Sequence, residues 1–144
     1  MKFTKFPYEK LNARQKESHN YQKLSAILAL YGFSTIRITD DWYGADFLAT
    51  HASGGTVLKV QLKPRLYFSK AYKGKKLWLC FPVPNGAYLI PHDKALRIVL
   101  RERRCLSSSK SWKERNAYSM NSVPKWLKPK MKRYFMSAEG IFRL

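Results

Sequence analysis

The chain has 144 residues, of which 45% are hydrophobic, with 28 Lys and Arg against 9 Asp and Glu and a formal net charge of +19. The apolar share excludes a disordered polymer, and the length suits one domain with a core of its own and hardly two. A positive excess this large on one small domain goes beyond what solubility requires. It points to a polyanionic partner, nucleic acid first and an anionic membrane surface second.

The N-terminal stretch MKFTKFPYEKLNAR lacks the apolar run of a signal peptide, and no apolar window reaches the length of a membrane span. Cys80 and Cys105 stand far apart and match no metal-ligand spacing; Cys80, inside LWLCFPV, reads as a buried small apolar residue. Together these features predict a cytoplasmic, reducing setting.

In chain order, residues 14–31 read as a helix. Tyr21, Leu24, Leu28 and Tyr31 recur at three- and four-residue steps beside Ile27, and Gly32 is a natural stop. FSTIRIT alternates apolar and polar as a half-buried strand does, and DDWYGA reads as a loop. DFLAT and TVLKVQLK read as paired strands around HASGG, with Gly54-Gly55 suited to a tight turn. PRLYFSKAYKGKK reads as a basic, aromatic excursion, LWLCFPV as a buried strand, and AYLIP as its return after Pro84-Asn85-Gly86. HDKALRIVLRERR predicts a helix with Asp93 in its first turn. CLSSSKSWKERN predicts an exposed loop, and SVPKWLKPKMKRYF a short basic helix bent or split at Pro129. The outline is α/β: a mixed sheet with helices packed against it.

The 46–63 hairpin carries the chemistry. A turn centred on Gly54-Gly55 sets Asp46 opposite Lys63 and Leu48 opposite Gln61. A turn centred on Ser53-Gly54 sets Asp46 opposite Gln61. Both keep Asp46, Gln61 and Lys63 on one face and leave Leu58, Val60 and Leu62 to the core, because facing residues in a ladder share a face. A carboxylate and an amide oxygen are hard ligands suited to Mg²⁺ or Mn²⁺, and a nearby ammonium can orient water or steady a phosphate oxygen. The same pattern also describes an ordinary strand face with a weak Asp46–Lys63 ion pair. Spacing alone leaves both readings open.

The run resembles the core motif of the PD-(D/E)XK nuclease superfamily, in which an aspartate is followed on the next strand by a [D/E/Q]-x-K triplet. Asp46 and Gln61-Leu62-Lys63 match it. The QxK version is similar to the Mrr-type restriction endonucleases, and size and order resemble the archaeal Holliday-junction resolvases. Those proteins place an acid on the first helix, matched here by Glu17. The proline usual before the aspartate is absent, since GAD stands there, and Gln61 occupies the position of the usual acid.

The resemblance spans roughly residues 14–91. It implies a restriction-endonuclease-like fold, with a central mixed β-sheet flanked by helices, in a single nuclease-like domain over 1–144. The core would occupy about 14–104 and a basic C-terminal extension about 105–144. It implies a metal-dependent DNA endonuclease that hydrolyses phosphodiester bonds, with Mg²⁺ or Mn²⁺ as cofactor. Asp46, Gln61, the Leu62 backbone carbonyl and Glu17 would serve as ligands, and Lys63 would serve the attacking water. Nucleoid association and a homodimer cutting both strands are further expectations. The alternatives are a non-catalytic nucleic-acid-binding protein on a degenerate nuclease fold and a basic RNA-binding protein.

After the motif, Lys59, Lys63, Arg65, Lys70, Lys73, Lys75 and Lys76 occur with no acid among them, interleaved with Tyr67, Phe68 and Tyr72. That pattern suits phosphate contacts with rings able to stack on bases, with Phe68 the member best suited to the core. Arg101, Arg103 and Arg104 with Lys125, Lys128, Lys130, Lys132 and Arg133 suggest a second basic track. His92-Asp93 reads as a helix start rather than an acid–base pair, because adjacent residues at a helix start do not face each other. His19 and His51 have no Cys/His cluster to make them zinc ligands, and no phosphate-binding loop or dinucleotide fingerprint is present.

Overall fold

Helix α1 (Ala13–Leu30) begins at a reciprocal cap: the Asn12 side chain accepts from the Gln15 backbone N–H and the Gln15 side chain accepts from the Asn12 N–H, each at 2.9 Å. Its buried residues are Leu24, Ile27 and Leu28, so its first turns extend past the core. Tyr31, expected on the buried stripe, instead ends the helix in solvent, and its hydroxyl accepts from the Ser137 N–H at 2.7 Å. Gly32 takes the left-handed conformation there, at φ +84°. The computed structural model describes residues 1–102 and 104–142, without the side chains of Asp41, Arg104 and Cys105. The expected basic contributions of Arg103 and Arg104, and the environment of Cys105, therefore lie outside the described residues.

The main sheet has six strands in the order β1-β2-β3-β5-β6-β8, with β1 Phe33–Trp42, β2 Ala45–His51, β3 Val57–Leu62, β5 Leu77–Val83, β6 Gly86–Pro91 and β8 Phe135–Ser137. The β3–β5 pair is parallel and the rest are antiparallel, so the sheet is mixed, as expected from the sequence. A parallel return needs a crossover. Residues 63–76 supply it, using strand β4 (Tyr67–Ser69) and a 3₁₀ turn (Lys70–Tyr72) in place of a long helix. Strand β4 pairs with β7 (Ala117–Ser119) in a separate two-stranded sheet.

Strand alternation gives the main sheet two apolar faces. On one, Phe47, Ala49, Val60, Leu62, Cys80 and Leu89 pack against α1. On the other, Leu79, Phe81 and Ile90 pack with Ala95, Leu96 and Val99 of helix α2 (His92–Glu102), and with Leu106, Trp112, Leu127 and Met131. Burial pushes the Cys80 thiol up to about 12, which fits its reading as an apolar core residue.

Several expected boundaries change. DDWYGA is mostly strand: β1 runs to Trp42, and only Tyr43-Gly44 turns the chain, both at positive φ. CLSSSKSWKERN is not a loop. It holds helix α3 (Arg104–Ser108) and helix α4 (Lys110–Arg115), where Ser109 caps the Trp112 N–H and Leu106 and Trp112 anchor the segment in the core. The basic helix expected over 122–135 reduces to α5 (Lys128–Met131) and a 3₁₀ turn (Lys132–Tyr134), because the chain continues into edge strand β8.

Candidate functional site

The β2–β3 ladder pairs Phe47 with Val60 and Leu48 with Lys59, so one step further Asp46 stands opposite Gln61. This is the Ser53-Gly54 register, and it displaces the pairing of Asp46 with Lys63. Local turn chemistry accounts for the choice. Gly54 takes φ +83° and donates its N–H to the His51 carbonyl, while the His51 N–H closes the ladder on the Thr56 carbonyl. Val60 and Leu62 are buried, as either register required, with Leu58 half-buried behind them.

Asp46, Gln61, Leu62 and Lys63 line a cleft of about 440 Å³, together with Glu17, Lys16, Ala13 and Asn20 of α1, Tyr8 and Pro64. The overhanging first turns of α1 form one wall, which is how a residue on that helix reaches the strand motif. Asp46 Oδ2 accepts from the Leu62 N–H at 2.7 Å, locking the carboxylate against β3. Burial raises the Asp46 pKa above its ordinary value of 3.8. The Glu17 carboxylate adds to the rise, while the Leu62 N–H and the charges of Lys63 and Arg37 oppose it. Mutual repulsion of two acids across a cleft is what a cation between them would relieve. Glu17 is exposed, and its Oε1 lies 3.3 Å from the Arg37 guanidinium, which also donates to Ser18 Oγ at 3.0 Å.

Gln61 is 9% exposed despite its polarity. Lys63 does not pair with Asp46 as the plain strand-face reading held. Its Nζ lies 4.5 Å from the centre of the Tyr67 ring and 5.7 Å from that of Tyr72. Among the described residues, no group of three or more His, Cys, Asp or Glu could hold a metal. The candidate donor set is instead two acids, one amide oxygen and the Leu62 carbonyl. All are hard oxygens, a composition that fits Mg²⁺ or Mn²⁺.

The residues proposed for nucleic-acid contact are only partly brought together. Lys59 Nζ donates to the Lys75 carbonyl at 2.7 Å, and Lys73, Lys75 and Lys76 are exposed on the crossover. Arg65 instead lines a separate, largely apolar cavity of about 470 Å³ with Tyr88, Met120 and Phe135. The Lys70 ammonium lies 5.1 Å from the Trp112 ring centre, and Phe68 is fully buried.

The expectation that His92 and Asp93 do not face each other is overturned. His92 Nδ1 lies 2.9 Å from Asp93 Oδ1, and His92 Nε2 accepts from the Ser69 N–H at 3.2 Å. The second contact fixes the neutral tautomer, with Nδ1–H donating to Asp93. Asp93 Oδ2 accepts from the Gly74 N–H at 2.9 Å. The pair thereby clamps both ends of the segment that carries Lys70 and Tyr72. Sequence spacing carried no sign of this, because the partners come from the crossover.

No family model and no curated protein matches this chain. Among solved structures it is similar to a Holliday junction resolvase of Archaeoglobus fulgidus, an archaeal hyperthermophile, at 18% identity. The match covers 54% of this chain and 74% of that one, with a TM-score of 0.43. No helix among the described residues is long and apolar enough to cross a membrane.

Proposed function

We infer that this chain is a metal-dependent DNA endonuclease of the PD-(D/E)XK type, with Asp46, Gln61, Lys63 and Glu17 as its working residues. The observation that carries the reading is the shared cleft. Residues 29 to 46 positions away from Glu17 in sequence meet it across one concavity, in the order the motif requires. A net charge of +19 supplies the attraction for a polyanionic substrate.

Asp46, Gln61, Glu17 and the Leu62 carbonyl would hold Mg²⁺ or Mn²⁺. When bound, such an ion polarises a phosphate and lowers the pKa of a coordinated water. The protein's own part is preorganisation. The Leu62 N–H fixes one Asp46 oxygen and leaves the other to a ligand. Tyr67 and Tyr72 hold the Lys63 ammonium on an aromatic bed, where it would steady a non-bridging phosphate oxygen or orient the attacking water. Glu17 would exchange its exposed pairing with Arg37 for the cation, at small cost because surface ion pairs are weak.

Incubation with plasmid, linear and branched DNA in Mg²⁺, Mn²⁺ or EDTA tests the reading. Cutting with either metal and none in EDTA is expected. Tight binding without cutting in any metal would leave a non-catalytic nucleic-acid-binding protein. A preference for RNA that ignores Asp46→Ala would point to the RNA-binding alternative.

A further inference from the structure

We propose that the turn between β1 and β2 is a stacking wedge, whose Trp42 and Tyr43 rings insert among the bases of nucleic acid beside the cleft. Both rings are displayed to solvent, 47% and 66% exposed, and neither belongs to a core cluster. They meet edge to face with centroids 5.5 Å apart. The turn that presents them is costly to build. Tyr43 takes φ +54° and Gly44 φ +83°, the two positive angles of a tight hairpin turn whose first position favours Asn, Asp or Gly. A bulky ring at that position is unfavourable for folding and, at 66% exposed, gains little from burial, which points to a use outside the folded core.

The wedge is braced from behind. The Lys59 ammonium lies 6.0 Å from the Trp42 ring centre and 5.8 Å from that of Tyr43, and is itself anchored on the Lys75 carbonyl. Gly44 backs onto the start of β5 and the end of the crossover: a Cβ there would come within 3.0 Å of Leu77 and 3.9 Å of the Tyr72 ring. Tyr72 in turn touches the Lys63 ammonium, which also sits over Tyr67. Rings and ammonium groups thus alternate along one band, from the exposed turn to the lysine that lines the cleft. Rings stack on bases without regard to sequence, and ammonium groups take the phosphates between them. A strand whose bases are already unpaired, or are easily unstacked where duplex meets single strand, fits this band best.

The inference rests on the nucleic-acid-binding part of the function proposed above and not on cleavage. Its test is therefore a binding measurement in EDTA on the full chain. Fluorescence anisotropy compares a forked DNA with a blunt duplex of the same length, across a range of salt concentrations. Wild type is expected to prefer the fork. The Trp42→Ala/Tyr43→Ala protein should bind the fork about tenfold or more weakly, lose the preference, and keep the same dependence of affinity on salt, because the phosphate contacts remain. The Trp42→Phe/Tyr43→Phe protein should retain most of the binding. Should the double alanine protein fail to fold, the single alanine variants carry the same comparison. Unchanged fork affinity, or a salt dependence that falls with the affinity, would overturn the wedge. So would a wild-type dimer that the alanine variant converts to monomer, since the rings would then be a face between copies. Metal-dependent cutting by a protein whose alanine variant binds normally would end the wedge and leave the nuclease reading standing.

Discussion

Replacing His92 by Phe tests the clamp on the crossover. The ring is fully buried and touches Phe68 and Tyr72 edge-on or tilted, so a phenyl ring keeps most of the packing. What is lost is polar. The Ser69 N–H, in a residue 9% exposed, loses its acceptor, a cost of about 1–3 kcal/mol. The Nδ1–H bond to Asp93 also goes, worth about 1 kcal/mol, because Asp93 is 41% exposed and regains water. The sum is about 2–4 kcal/mol, or a Tm lower by roughly 6–15 °C for a chain of this size. Urea and thermal unfolding measure it directly.

The sign of the pH effect sharpens the test. Burial lowers the His92 pKa below its ordinary 6.5, and the Lys73 charge adds to this. The bond and charge of Asp93 oppose it, without reversing the direction. A depressed pKa means that the neutral ring's contribution is fully present above 6.5 and is lost as pH falls through the folded value, because the unfolded chain takes up the proton first. The gap between wild type and His92→Phe should therefore be widest near neutral pH and narrow in acid. A loss below about 1 kcal/mol, or parallel pH profiles for the two proteins, would refute the clamp.

Other substitutions probe the remaining features. Asp46→Asn keeps an acceptor for the Leu62 N–H and removes a charge that burial and Glu17 disfavour. A raised carboxyl pKa means that stability is lost as pH rises through the folded value, so the Asn protein should match wild type in acid and melt higher at pH 7; a lower melting point at pH 7 would contradict this. Glu17→Gln should change stability by less than about 1 kcal/mol, since its pairing with Arg37 is exposed, yet weaken Mn²⁺ binding by calorimetry. Unchanged Mn²⁺ affinity would remove Glu17 from the site. Gly86→Ala should destabilise by about 1–3 kcal/mol, because a Cβ there would collide with the Met136 carbonyl oxygen and force β8 off the sheet. Denaturation within 0.5 kcal/mol of wild type would show that the edge strand yields freely.

The sequence made the motif strands legible because period-two alternation survives a change of register. Both hairpin pairings placed Asp46 and Gln61 on one face, and only Gly54's left-handed backbone chose between them. Helix α1 was legible from Leu24, Ile27 and Leu28, whereas Glu17 stood out only through the family resemblance, as the acid expected on the first helix. Partners brought together by the crossover were not legible. Nothing local tells that Lys63 will lie on Tyr67 and Tyr72, or that His92 will accept from Ser69. Short elements failed for a related reason. Strands β4, β7 and β8 span three residues each, too few for a period to show, and owe their form to the partners they pair with. Trp42 and Tyr43 passed as loop residues because a turn sequence carries no sign of which rings will be left outside.

The most direct test of the nuclease reading is a single-turnover cleavage time course in Mn²⁺ on the preferred DNA, comparing wild type with Asp46→Ala and Lys63→Ala proteins shown to be folded and to bind that DNA. The account predicts cutting by wild type and a loss of about a hundredfold or more in each variant with binding largely kept, as expected when a residue acts in the transition state. Equal rates in all three proteins, or no cutting by wild type on any DNA, would contradict it.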